Sequence, residues 1–411
     1  MRKMKNSGIE WIGKIPEEWN ILPTKRFFRH TKTIAWDKVD SYERLALTMN
    51  GVIKRSKEDS EGLQPEKFDT YQVLKENELV FKLIDLANVK TSRVGLSPYA
   101  GIVSPAYIIL TNCQKDNRFY YYYFMFMYYN EIFNQLGDNG VRSSLNAQDL
   151  LSIPMVSIPV EQQTRIADYL DDKCRKIDRY MGKQQKIIEK LKEYKQAVIT
   201  EAVRFRDGWT SCHLGYLAQF KNGLNYSGLS TNVEIKFLGV GDFQNHFMLN
   251  SKEMFSTLKF DGNMPEDLLL KNGDIVFVRS NGSKDLVGRS VLIDNVDYPL
   301  TYSGFCIRMR NYRQDVVLNK FLLYRFWSNE FRQSLNRDSR GSNINNLNQE
   351  LLSKLTVSFP DIEEQHEIIG FLGKKCAEID RVIDKKQSLI EKLTEYKKSL
   401  IYEAVTGKLE V

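Results

Sequence analysis

Residues 162–203 and 364–405 are copies of one another: laid side by side at a shift of 202 residues, without a gap, they agree at 21 of 42 positions. The first reads QQTRIADYLDDKCRKIDRYMGKQQKIIEKLKEYKQAVITEAV and the second EQHEIIGFLGKKCAEIDRVIDKKQSLIEKLTEYKKSLIYEAV. No proline interrupts either copy, and Leu, Lys, Glu, Gln and Ala fill both, so each is expected to form one long helix. At 1.5 Å of rise per residue, such a helix is a rod of about 60 Å, far longer than an ordinary globular helix.

A heptad fits both copies. The first has Leu170, Ile177, Gln184, Leu191 and Val198 at a, with Tyr180, Ile187 and Tyr194 at d. The second has Leu372, Ile379, Lys386, Leu393 and Leu400 at a, with Val382, Leu389 and Tyr396 at d. The same central a position is polar in both, Gln184 and Lys386, a device by which coiled coils fix register and partner at some cost in stability. The two helices are therefore expected to pair with each other. Gly182 interrupts the first where the second has Asp384, which costs about 1 kcal/mol of helix propensity relative to Ala.

The rest of the chain repeats more loosely. Trp19 closes the phrase GIEWIGKIPEEW and Trp209 closes FRDGW, each at the entry to a segment of mixed strand and helix patterning. Landmarks then recur in one order. Asn77–Phe81 answers Gly273–Phe277, a turn followed by a buried strand, and Ser104–Leu110 answers Ser303–Met309, a second strand. Tyr122–Leu136 answers Phe321–Leu335, each read as one aromatic-rich helix sharing Asn-Glu at 130–131 and 329–330. That parallel makes the run FYYYYFMFMYY at 119–129 a core helix rather than a base-stacking platform, and eleven residues are too few to span a bilayer that needs about twenty. Polar glycine loops at Gly140–Asn146 and Gly341–Leu347 follow, and Ile158-Pro159 and Phe359-Pro360 precede the long helices.

The expected architecture is α/β (α+β): two tandem globules alternating with two long helices that pair as a coiled coil. The limits are 1–158 for the first globule with its N-terminal segment, 159–206 for the central helix, 207–359 for the second globule, and 360–411 for the last helix and tail. With 42% hydrophobic and 27% charged residues the chain has the composition of an ordinary folded protein. Its net charge of +7 permits an anionic partner such as nucleic acid without requiring one. The five cysteines form no CxxC pair, and Cys174 and Cys376 sit at matching positions beside the seam, which reads as packing thiols in a reducing cytoplasm. The N-terminus is basic but lacks an apolar stretch, so no signal peptide is expected there.

Motifs for chemistry are missing from the pattern. No GxxxxGK[ST] phosphate loop occurs, and His366-Glu367 lacks the second histidine of a zinc-protease helix. Neither an amino-methyltransferase Asn/Asp-Pro-Pro-aromatic stretch nor a dinucleotide glycine fingerprint is present. The stretch Glu189-Lys-Leu-Lys192-Glu193 carries the residue types of a metal nuclease, yet it lies in a coiled-coil helix, where such charges support the helix. No catalytic or metal residues are expected, so the chain reads as a recognition protein rather than an enzyme.

At this level the chain resembles the specificity subunit of a type I restriction-modification system. The residues that carry the resemblance are the two long helices introduced by Pro159–Gln162 and Pro360–Gln365, the Glu-Ala-Val that ends each, and the closing phrase Ala404-Val-Thr-Gly-Lys-Leu-Glu-Val411. The resemblance implies that each globule is a target-recognition domain reading one half of a split, asymmetric duplex DNA site. It implies that the helices pair antiparallel as a spacer, and that two modification subunits and two restriction subunits are the protein partners. S-adenosylmethionine would belong to the modification partner, ATP and Mg to the restriction partner, and no cofactor to this chain. No membrane partner is implied.

Residue type and place nominate the DNA contacts. Arginines and backbone amides in the glycine loops suit phosphate: Arg142, Ser143 and Ser144 in the first half, then Arg337, Arg340, Ser342, Asn343 and Asn345 in the second. Lys90 and Arg93 in the first half, and Arg279, Asn281, Lys284 and Arg289 in the second, follow matching strands, where arginine and asparagine suit guanine and adenine edges. Lys54, Arg55 and Lys57 form a further basic cluster. Two other classes stay open on the residues alone: a coiled-coil scaffold or adaptor whose globules bind protein, and an enzyme acting alone. The second would need a cofactor domain for which no segment is left over.

Overall fold

The computed structural model describes residues 2–49, 51–59, 68–84, 86, 93–136, 144–225, 233–244, 246–260, 264–280, 286–337 and 347–411. They form two compact units, residues 1–184 with 388–411 and residues 185–387. Each unit owns one globule and half of each long helix. The limits drawn from the sequence follow changes of element, whereas the compact units cut through the helices, because each globule's core continues onto the helix halves beside it.

In the first unit one sheet orders strands Gly51–Arg55, Arg44–Thr48, Gly101–Val103 and Gln72–Leu74. A second orders Arg29–His30, Ile108–Thr111, Leu79–Phe81 and Val94–Leu96. The second unit repeats both. Ala218–Asn222, Cys306–Asn311, Ile275–Val278 and Ser290–Ile293 form the antiparallel core of one sheet, and Ser256–Phe260, Val233–Leu238 and Leu300–Tyr302 form the other. A parallel pairing recurs in the matching sheets: Ile102 pairs with Arg44 in the first unit, and Phe237 with Thr301 in the second. Asn77 and Gly273, the turn residues matched in the sequence, both take positive φ, 63° and 89°, a region open to glycine and tolerated by asparagine.

Entry and exit of each globule are zipped together. Asn20–Pro23 pairs antiparallel with Pro154–Ser157, and Thr210–His213 with Thr356–Phe359. Trp19 is fully buried and Trp209 nearly so, its ring against Phe321. The aromatic run lies in the core from Phe119 to Met127 with only Tyr121 partly exposed.

The aromatic segments are not single helices as the sequence suggested. The first is Arg118–Tyr129 followed by Ile132–Leu136, and the second is Asn319–Trp327 followed by Asn329–Arg337. The first breaks at Asn130-Glu131 and the second at Ser328, just before its Asn-Glu, which opens the following helix. Asn130 turns its amide back onto the Phe126 carbonyl at 2.9 Å and Glu131 takes φ 55°, while Ser328 bonds the Arg325 carbonyl at 2.7 Å.

The long helices run Val160–Ala202 and Ile362–Val405. They pair antiparallel. Within the second unit Lys195 meets Asp380 at 2.6 Å and Arg206, just past the first long helix, meets Glu364 at 3.3 Å, so moving forward along one helix moves backward along the other. Within the first unit Lys397 meets Asp178 at 2.7 Å, the repeat equivalent of Lys195 and Asp380.

One feature of the expected seam is corrected. At a, Leu170, Ile177, Gln184, Leu372, Ile379 and Leu400 are buried, and Leu191, Val198, Lys386 and Leu393 half-buried. The expected d row faces outward: Tyr180, Ile187, Tyr194, Val382 and Tyr396 are 39–56% exposed, and Leu389 is half-buried. The second buried row stands four residues after a, at Ala167, Cys174, Ile188, Cys376 and Ala404. Residues at i and i+4 share a helix face, and a stripe that must serve a globule as well as a partner helix shifts to that side.

Candidate nucleic-acid interface

The two sets of candidate loops come together at their roots, in the same way in both units. In the first, the strand Leu79–Phe81 leads to Leu83, whose carbonyl accepts from the Leu145 amide at 3.0 Å, and Ile84 bridges Ser144. Asn146 then caps the helix Ala147–Ser152, accepting from the Gln148 and Asp149 amides while Asp149 reaches back to the Asn146 amide. In the second, Ile275–Val278 leads to Arg279, whose carbonyl accepts from Leu347 at 2.8 Å, and Asn348 caps Gln349–Lys354. Residues following one strand and residues preceding one short helix therefore stand side by side at one edge of each globule.

A tight turn completes each edge. Cys306 donates its amide to the Ser303 carbonyl at 2.8 Å, and Phe305 donates to Ser303 Oγ at 3.2 Å. Tyr107 and Ala106 make the same two bonds to Ser104, at 3.1 and 3.3 Å. The Arg279 amide donates to the Phe305 carbonyl at 2.7 Å, which fixes this turn against the strand end.

The nominated residues fare differently. Lys54 is exposed, its ammonium 5.3 Å from the Tyr99 ring centre, a pairing that leaves the charge in solvent. Arg55 is held by Asp59 at 2.6 Å, and Lys57 donates to the Val39 carbonyl at 2.8 Å with Asp40 beside it. Arg279 is half-buried at the strand end, and Arg289 reaches the Gln244 carbonyl at 2.6 Å. Ser144 is exposed.

Arg93 is a correction. It is 3% exposed, bonded to Asn134 Oδ1 at 2.9 Å and set over the Tyr128 ring, so it joins the strand Val94–Leu96 to the aromatic helices instead of facing a ligand. A basic residue beside a recognition stretch and one that locks it from within look alike in sequence. Lys90, Arg142, Ser143, Asn281, Lys284, Arg340, Ser342, Asn343 and Asn345, and the side chain of Arg337, lie outside the described residues.

Two exposed apolar features escaped the sequence reading. Phe305 is 62% exposed on its turn. Aligning Ser104-Pro-Ala-Tyr with Ser303-Gly-Phe-Cys would have flagged it, since one turn carries Ala where the other carries Phe. The outward d row was visible as residues but assigned to the wrong face. Among the described residues, no group of three or more His, Cys, Asp or Glu is arranged to hold a metal ion, and no helix is long and apolar enough to cross a membrane.

Residues 206–392 match the family described as type I restriction modification DNA specificity domain. The chain is 30% identical over 278 residues to the StySPI type I restriction enzyme specificity subunit of Salmonella potsdam, covering 64% of this chain and 58% of that protein. It is 26% identical over 136 residues to the EcoKI specificity subunit of Escherichia coli K12, covering 33% of this chain and 29% of that one. It thus spans well under two thirds of the length of these relatives. A solved structure concerned with complex assembly and conformational transition of the type I R-M system shares the fold, with TM-score 0.71 and 13% identity over 96% of this chain and 99% of that one.

Proposed function

We propose that this chain is a specificity subunit of a type I restriction-modification system, that it recognises a bipartite duplex DNA site and that it performs no catalysis itself. The observation that carries the reading is the doubling of the candidate edge. Each unit brings a strand end, a short-helix cap and a serine-anchored turn to one place, through matched hydrogen bonds at Leu83–Leu145 and Arg279–Leu347. A site read by two such edges has two parts, and because the edges differ in residues the parts differ in sequence. Residues 20–158 read one half-site and residues 209–358 the other. The long helices set the spacing between them.

Binding would draw on phosphate contacts from the net charge of +7, with affinity falling as salt rises because neutralised phosphates release counterions. Chemistry is supplied by partner subunits: two modification subunits holding S-adenosylmethionine, and two restriction subunits using ATP and Mg. The outward row of Tyr180 and Tyr396 in the first unit, and of Tyr194 and Val382 in the second, supports a scaffolding role, since exposed aromatic rows mark protein contact surfaces. Such a complex works on DNA in the cytoplasm.

Genome-wide methylation mapping by single-molecule sequencing tests the reading, with the modification subunit expressed with and without this chain. A split motif that depends on the chain is the expected result. A folded complex that leaves no motif would favour an adaptor whose globules bind protein.

A further inference from the structure

Phe305 is a large apolar side chain, 62% exposed, on a turn that has little freedom to move it. Among the bonds that hold that turn are Phe305 N to Ser303 Oγ, Cys306 N to Ser303 O, Gly304 N to Leu224 O at 2.7 Å, and Arg279 N to Phe305 O. Behind it Gly223 lies so close to the Ser303 and Tyr302 carbonyls that no side chain fits there. The ring is therefore presented on a rigid support.

The turn does not need the ring. The first unit builds the same turn, with the same serine and the same two bonds, and places Ala106 where the second places Phe305. Folding gives no reason to keep an exposed phenyl group at that position. Its neighbour in the turn is the strand end at Arg279, which in turn meets Leu347, so the ring stands within the edge proposed to face DNA.

A phenyl ring has no bond to offer phosphate and no donor or acceptor for a base edge. The apolar group that base edges display in the major groove is the thymine 5-methyl, and phenylalanine is among the side chains suited to it. Resting on the DNA-recognition reading, we propose that Phe305 is a specificity-determining residue that selects a thymine in the half-site bound by residues 209–358, by contact with its 5-methyl group.

The test uses the full chain with its modification subunit and duplexes carrying the mapped site, each thymine replaced singly by deoxyuridine, which removes only the methyl group. Wild type is expected to lose roughly tenfold in affinity at one position of the second half-site, in line with the usual penalty for a wrong base pair. Phe305→Ala, with an unchanged melting temperature, should bind thymine and uracil duplexes alike at the weaker level, while Phe305→Leu keeps part of the discrimination. Replacements in the first half-site should affect wild type and Phe305→Ala equally. A second half-site without a thymine, wild-type indifference to every uracil, or a Phe305→Ala protein that still discriminates would each overturn the proposal alone. A wild-type complex that does not distinguish its mapped site from a scrambled duplex would overturn the DNA-recognition reading and this proposal together.

Discussion

Arg118 donates from Nη1 to the Asp171 carboxylate at 2.6 Å, and in doing so ties the start of the aromatic helix to the first long helix within the first unit. The same guanidinium bonds Asp116 at 2.6 Å and Asp168 at 2.8 Å, and Tyr122 donates to Asp171 from the neighbouring turn at 2.7 Å. Three carboxylates share one cation.

Removing that cation leaves three acids close together. Arg118→Ala is expected to destabilise the protein by about 1–2 kcal/mol at neutral pH, more than a lone surface pair but limited by partial exposure. Burial pushes the Asp116 carboxyl up, but bonding and charge from Arg118 outweigh it and hold the group below its ordinary value. A depressed carboxylate contributes above its ordinary pKa and loses that contribution as pH falls through the folded value. Urea melts of wild type and variant should therefore differ most near pH 7 and converge as pH falls through the lowered titration of that carboxyl. A gap that widens in acid would contradict the assignment.

Gln184 occupies a central a position at 4% exposure, and its Oε1 has no hydrogen-bond partner among the described residues. An unsatisfied buried acceptor costs roughly 1–3 kcal/mol. Gln184→Leu should accordingly raise stability by about 1 kcal/mol in chemical denaturation while relaxing the register that a polar a residue specifies. A lower midpoint would show that the amide is satisfied in solution, for instance by water.

Much of this fold is readable from residues 162–203 and 364–405, because a long helix is a local structure and its repeat carries its own internal control. The paired strands at Asn77–Phe81 and Gly273–Phe277 are readable for the same reason. Three things were hidden. The outward turn of Tyr180, Tyr194 and Tyr396 depends on how each globule packs on the helix halves of its own unit, a tertiary effect with no local signal. The helix breaks at Asn130 and Ser328 hinge on side chains that bond backward to the backbone, which a tolerant aromatic pattern conceals. The burial of Arg93 depends on Asn134 and Tyr128, which are remote in sequence and contribute nothing to the motif around it.

Gly223 is a sharper test of the second edge than any residue on it. A methyl group there would be forced onto the backbone carbonyls of Tyr302 and Ser303, which cannot step aside as a flexible side chain could. Its own amide donates to the Cys306 carbonyl at 3.1 Å, so the strain enters the Phe305 turn directly. Gly223→Ala is expected to cost about 2 kcal/mol or more, as buried steric substitutions do. In the assembled complex it should weaken recognition of the second half-site and leave the first intact, measured by binding to duplexes in which one half-site at a time is scrambled. Equal loss at both half-sites would mean that the two edges do not read independently.

The two rows of the long helices make opposite predictions from residues of similar apolar character. Leu170 is fully buried at a, so Leu170→Ala should cost about 2–5 kcal/mol through lost burial and the cavity left behind. Tyr194 is 50% exposed on the outward row, so Tyr194→Ala should change stability by no more than about 0.5 kcal/mol. Their effects on assembly should reverse. Tyr194→Ala, and more strongly Tyr194→Ala combined with Tyr396→Ala, should weaken capture of the modification subunit in a titration followed by analytical ultracentrifugation, with the chain itself still folded. Leu170→Ala should weaken capture only in proportion to the fraction of chain unfolded. If the tyrosine variants assembled like wild type, the outward row would be an ordinary solvated face, and the docking surface for the partner would have to be sought on the globules instead.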